Sequence, residues 1–124
     1  MSVRQRTFLT NNNGTAAVEF GLVLPGLAML IVGTLYAGLV MYSIAGLHTA
    51  VEEGARCYSV NSGSCGSASA AQSYAQSHYY GLSNPTFAAS TPSCGHQVTG
   101  TVSVVLSAGI ASWNIPLSAQ ACYP

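Results

Sequence analysis

The chain has 124 residues, 49% of them apolar and only 5% charged, against about 25% charged in an ordinary soluble domain. Formal net charge is zero, with Arg4, Arg6 and Arg56 set against Glu19, Glu52 and Glu53. No basic stripe exists to neutralise phosphates, which excludes nucleic acid as a partner, and the lack of aspartate and lysine leaves general acid–base chemistry little to work with.

In chain order, Arg4 and Arg6 come first, followed by a run without charge from Phe20 to Val51. Its core, Gly21 to Gly46, exceeds the about 20 apolar residues that a spanning helix needs. It is also much longer than the apolar region of a cleaved secretory signal, so the segment is expected to be retained. The basic residues ahead of it place the N-terminus in the cytoplasm and the remainder across the inner membrane. Pro25 and Gly26 interrupt the run, as a tolerated kink or as a local unwinding used in assembly. Gly33 and Ala37 form a small-xxx-small step, extended by Gly26 and Ala45, that would let helices approach closely in lipid.

Glu19 sits one residue before the apolar run, where a carboxylate is costly unless it reaches the headgroups or finds a partner. Its spacing to Gly14 gives the sharper reading. A cut after Gly14 makes Thr15 the new N-terminus and puts Glu19 at the fifth position. Glu19 could then pair with the freed α-amine of a neighbouring subunit, relieving two buried charges together.

Residues 14–20, GTAAVEF, resemble the prepilin-peptidase site of type IV pilin-like proteins. The longer stretch from Gly14 to Val60 resembles the TadE family of tight-adherence (Flp) pilus systems. The elements that carry it are AAVEF (Ala16 to Phe20), LVLP (Leu22 to Pro25) and the EEGAR run (Glu52 to Arg56), behind a short basic leader. The resemblance implies processing between Gly14 and Thr15 by an inner-membrane prepilin peptidase, with Glu19 and Phe20 acting in assembly. It implies as partners the major and other minor pilins, the inner-membrane pilus assembly platform and membrane lipid. Cys57 departs from the family's commonest pattern, which leaves the subfamily open.

Beyond the membrane run, Leu47, Ala50, Val51, Gly54, Ala55 and Tyr58 recur at helical steps, with His48, Glu52, Glu53 and Arg56 on the opposite face. Glu52 and Arg56 are an i,i+4 pair in the favourable order. One long helix is therefore expected from about Ala16 to Tyr58, ended by Asn61, Ser62 and Gly63. Residues 67–80 predict a short helix, with Ser67 as N-cap and Gly81 as C-cap. Thr86 to Ser90 fits a short edge strand. Residues 97–107, carrying Val98, Val102, Val104 and Leu106, read as a strand by composition and period. Residues 108–112 turn, and 113–121 make a partner strand that Pro116 assigns to an edge.

If those two strands form a hairpin, Cys94 and Cys122 meet at its open end, while Cys57 and Cys65 bracket the loop between the helices. The expected disulfides are Cys57–Cys65 and Cys94–Cys122, one of three possible connectivities. Zinc is the alternative use of these cysteines with His96, but no C-x-x-C pair is present. His48 and His78 have no neighbour that makes a catalytic pair. Tyr74, Tyr79, Tyr80, Phe87 and Trp113 are expected mostly in the core, with a subunit-contact patch as the alternative.

The expected fold is α+β: a long N-terminal transmembrane, pilin-like helix, then a small disulfide-stapled domain with one short helix and an antiparallel hairpin or sheet. Residues 1–14 are the leader, 15–46 the transmembrane part and 47–124 the periplasmic domain. The function expected is that of a minor pilin or pseudopilin in assembling or priming an adhesive pilus, membrane-held or incorporated into the filament. No catalytic residue, metal site or cofactor is expected. A signal-anchored envelope binding protein or adhesin outside any filament is the alternative.

Overall fold

The computed structural model describes residues 13–124. The elements are α1 (Asn13–Val60), α2 (Ser62–Cys65), α3 (Ala68–His78), β1 (Thr86–Ser90), β2 (His96–Ala108) and β3 (Ala111–Tyr123). The fold is α+β: a long apolar helix, then a small antiparallel sheet domain closed by two disulfides. Residues 1–12 of the expected leader, with Arg4 and Arg6, lie outside the described residues. The chain divides after Leu35 into two compact units, and α1 contributes to both.

In the first unit α1 runs through Pro25 without a break. The interruption expected at Pro25 and Gly26 is not an end of the helix. Proline costs one backbone bond, and apolar surroundings favour keeping all the others. Val18, Phe20, Leu22, Val23, Leu27, Met29, Leu30 and Leu35 are all exposed, so the helix is apolar all round. Such a helix needs lipid or protein around it. Thr34, a polar residue within it, donates its hydroxyl to the Ile31 carbonyl at 2.8 Å and so needs no external partner.

In the second unit the helical stripe expected after Gly46 is the core. Leu47, Ala50, Val51 and Ala55 are buried and pack with Ala75 of α3, Phe87 of β1, Val98 and Val102 of β2 and Ala119 of β3. Each fully buried Leu or Val side chain there contributes about 1.5–3 kcal/mol. Alternation along β2 places Val98, Gly100, Val102 and Val104 on this inner face and Thr101, Ser103 and Val105 outside. The helix comes so close to the segment after α3 that a Cβ at Gly46 would collide with the Tyr80 carbonyl. A Cβ at Gly54 would lie 2.9 Å from the Ala75 Cβ. The glycines of α1 that matter for packing within the chain are therefore these two. Gly26 and Gly33, on the small surface expected to pack helices, have open space around them.

Local chemistry sets the remaining ends. Asn61 Oδ1 accepts from the Ser64 N–H at 3.1 Å and starts α2, a turn that the sequence pattern did not announce. Ser67 Oγ accepts from the Ala70 N–H at 3.2 Å and caps α3 as expected. α3 stops at His78, short of the expected Tyr80, because Tyr79 turns to extended backbone and points its ring at Phe87, with centroids 6.4 Å apart. Gly81 is thus not the cap.

The sheet order is β1-β2-β3, antiparallel throughout. β3 is an edge, which is where Pro116, opposite Ser103, is tolerated. The hairpin is longer than the expected 97–107 and 113–121, and its turn is only Gly109–Ile110 between the paired Ala108 and Ala111. Gly109 has φ 61°, the left-handed conformation that a tight two-residue hairpin turn demands at that position. The hairpin lies along the part of α1 in its own unit. Near its open end His96 meets the Tyr58 ring at 4.3 Å, and near its turn Tyr36 donates its hydroxyl to the Ser107 carbonyl at 3.1 Å. The helix segment between those two tyrosines is about 33 Å long at about 1.5 Å per residue, a length that a strand of β2's size matches.

Candidate functional site

Gly14, Thr15, Glu19 and Phe20 lie in the first turns of α1, and all four are exposed. Thr15 and Glu19 are one helical turn apart and share a face. A Cβ on Gly14 would meet nothing within 4 Å, so its lack of a side chain serves no packing among the described residues. Glu19 is followed directly by the exposed Phe20 and the apolar face described above. The arrangement is an acid at the edge of a surface that only lipid or another protein can cover.

The four cysteines are joined as Cys57–Cys65 and Cys94–Cys122. The first bridge ties the end of α1 to α2, and Cys65 is fully buried. The second closes the open end of the hairpin, where Gln97 pairs with Cys122. With every cysteine in a disulfide, no thiolate is left to hold zinc. Among the described residues no group of three or more His, Cys, Asp or Glu side chains is gathered as a metal site would need.

The histidines are occupied by local contacts. His78 stacks on Tyr74 with centroids 4.1 Å apart, and its Nδ1 lies 2.9 Å from the Tyr74 carbonyl and 3.1 Å from Ser77 Oγ. His96 packs edge-on against Tyr58. His48 is exposed beside Thr99, Ser118, Ala119 and Gln120, a concavity that contains neither Glu52 nor Glu53. A second concavity, lined by Asn84, Thr86, Thr101, Ser103, Pro116 and Ser118 among others, has no titratable side chain at all. Neither concavity brings a glutamate beside a histidine. Glu52 and Arg56 are both exposed, and such a pair contributes little.

Tyr79 is half-buried beside Phe87 and has a displaced proton equilibrium. Burial raises its phenol above the usual tyrosine range. Ser43 and the Ser83 backbone pull weakly the other way, yet the hydroxyl has no partner at hydrogen-bond geometry. Ser43 itself is buried and donates to the Leu39 carbonyl at 3.1 Å.

Two aromatic residues expected in the core are outside it. Trp113 and Tyr80 are exposed, whereas Phe87 is buried and Tyr79 half-buried. Trp113 stands opposite Leu106 near the hairpin turn, and alternation along an edge strand does not by itself say which face is covered. The contact of Tyr36 with Ser107 was also missed. An aromatic residue within the apolar run at position 36 was its only signal.

Exactly one helix among the described residues, Gly14–Val60, is long and apolar enough to cross a membrane. That helix fits a membrane anchor. No curated protein and no solved structure matches the chain. Residues 14–56 match the family model described as TadE-like protein, so over the helix that carries the candidate site the chain is similar to that family, and the similarity implies involvement in a Tad pilus system.

Proposed function

We propose that the chain is a minor pilin or pseudopilin that helps assemble or prime a tight-adherence pilus. The observation that carries this is the family match opening at Gly14, the residue after which the sequence motif expects the cut. On this reading an inner-membrane prepilin peptidase removes residues 1–14. The new α-amine at Thr15 then lies on the same helix face as Glu19. In a membrane or a filament core both charges are costly alone, and pairing across neighbouring subunits offsets that cost. The apolar helix is the lipid anchor before assembly and the packing surface after it. The disulfides belong to an oxidising compartment, which agrees with a domain on the periplasmic side of the inner membrane. The partners are the peptidase, the major and other minor pilins and the assembly platform.

The test is the N-terminus of the mature chain, determined by mass spectrometry in cells with and without the prepilin peptidase. Thr15 as first residue, only when the peptidase is present, is the expected result. Met1 retained in a strain that matures its other pilins sinks the proposal and favours a signal-anchored binding protein. Glu19→Ala should be processed but poorly incorporated, so an undiminished number of filaments would discard the pairing mechanism. Gly14→Leu should block maturation.

A further inference from the structure

We infer that the turn of the β2–β3 hairpin is a second membrane contact, seated in the interfacial layer of the outer leaflet beside α1. The inference rests on the anchor reading above and concerns residues that it does not use.

The hairpin turn lies at membrane depth by count. Counted from Phe20, the first residue after Glu19, about 20 residues of span end near Leu39. Tyr36 falls inside that count, and its hydroxyl is bonded to the Ser107 carbonyl near the turn. The helix cannot carry Tyr36 to the outer edge of the hydrocarbon without bringing Ser107 there too.

The side chains around the turn are those that such a layer accepts. Ile110, at the turn itself, is fully exposed, Trp113 is 58% exposed and Val105 60%. On the same unit's helix Met41 and Tyr42 are exposed as well. No charged side chain follows Arg56 anywhere in the chain, so none opposes insertion. Tryptophan and tyrosine favour the headgroup boundary, where an apolar ring and a polar edge are both satisfied.

Backbone chemistry sets the depth. A loop with free peptide groups is excluded from the hydrocarbon centre. This turn has only two residues, and the Ile110 N–H donates to the Ala108 carbonyl at 2.7 Å. The outer edges of the strands still carry unpaired groups, so the hairpin stops at the upper acyl chains and headgroups. Lipid is the occupant because the Tyr36–Ser107 bond ties the turn to a residue inside the counted span, and the exposed side chains at the turn are apolar or aromatic with no charge among them. A neighbouring copy of the chain is the competing occupant, and the test separates the two.

Trp113 is the only tryptophan, so its fluorescence reports the hairpin alone. The full chain is reconstituted in vesicles of phosphatidylethanolamine and phosphatidylglycerol, and flotation reports the anchor independently. The expected result is blue-shifted Trp113 emission, little quenching by iodide and severalfold stronger quenching by lipids brominated near the headgroup than near the methyl end. These values should not change with protein-to-lipid ratio. Ile110→Asp, at a fully exposed site, should still float but regain iodide access severalfold. A chain that floats with Trp113 open to iodide overturns the hairpin contact and spares the anchor. A chain that does not float overturns both. Shielding that fades on dilution in lipid gives the turn to a second copy, and shielding unchanged in Ile110→Asp gives it to the protein's own surface. Either of these overturns the proposal.

Discussion

Replacing Cys94 and Cys122 together by alanine should cost the disulfide-closed sheet domain about 3.6 kcal/mol. The bridge spans 28 residues, and loop closure of that length removes about 12 cal/mol/K from the unfolded chain, or about 3.6 kcal/mol at 25 °C. Cys94 is exposed and Cys122 half-buried, so the alanines add little packing loss of their own. Both positions lie outside α1. The loop is therefore released when the domain unfolds, even if α1 stays helical in a micelle. Against a total of about 5–15 kcal/mol for a small domain, this is a quarter or more of its stability. The assay is urea unfolding of the full chain in detergent, followed by near-ultraviolet circular dichroism of the tyrosines. A loss below about 1 kcal/mol would refute the reasoning, since the reduced unfolded chain would then already hold the hairpin ends together.

Other outcomes follow from packing and burial. Gly46→Ala should destabilise the sheet domain by about 1–3 kcal/mol through collision with the Tyr80 carbonyl. Gly33→Ala, in open space, should leave it unchanged, and the same unfolding assay separates the two. Leu47→Ala should cost about 2–5 kcal/mol, because the side chain is buried between α1 and the sheet. Tyr79→Phe should be neutral or stabilising, since the hydroxyl it removes is buried without a partner. With a folded-state pKa above the unfolded one, the Tyr79 contribution is complete below about pH 10 and falls as pH rises through the raised value. Titrating unfolding free energy from neutral to alkaline pH should therefore show a shallower decline in Tyr79→Phe than in the wild type.

The features legible in the sequence are those with a repeating physical cause. The stripe from Leu47 to Tyr58 shows because every helical turn must present a side chain to the sheet. β2 shows because its inner valines alternate with hydroxyls. α2 left no trace: four polar residues have no period, and the turn depends on the Asn61 cap beside the Cys57–Cys65 bridge. The end of α3 was missed because Tyr79 leaves the helix for a tertiary contact with Phe87, which no local propensity encodes. Gly46 reads like any glycine in a membrane helix until the Tyr80 carbonyl is beside it. Trp113 was drawn into the core by its size; it does share the inner sheet face with Val104 and Ala119, but it stands near the hairpin turn, where that face is left uncovered.

The candidate site is a different case. Gly14, Thr15, Glu19 and Phe20 are legible only as a motif, and on the proposed function what completes them is another molecule. Packing among the described residues gives them no partner to reveal. The same logic accounts for the low charge of the sheet domain. If the proposed function holds, this surface must be covered by lipid headgroups or sister subunits at different times. A charged side chain buried at either stage costs several kcal/mol unless paired, whereas a hydroxyl or amide can exchange water for another hydrogen bond at small net change. A core built largely of alanines, with Ala50, Ala55, Ala75 and Ala119 buried, leaves little hydrophobic surplus. Stability then has to come from elements that add no charge to the surface, and the two disulfides are such elements. The serine- and threonine-rich exterior and the paired cysteines are thus two consequences of one constraint: a surface kept low in charge over a core too small to hold the fold alone.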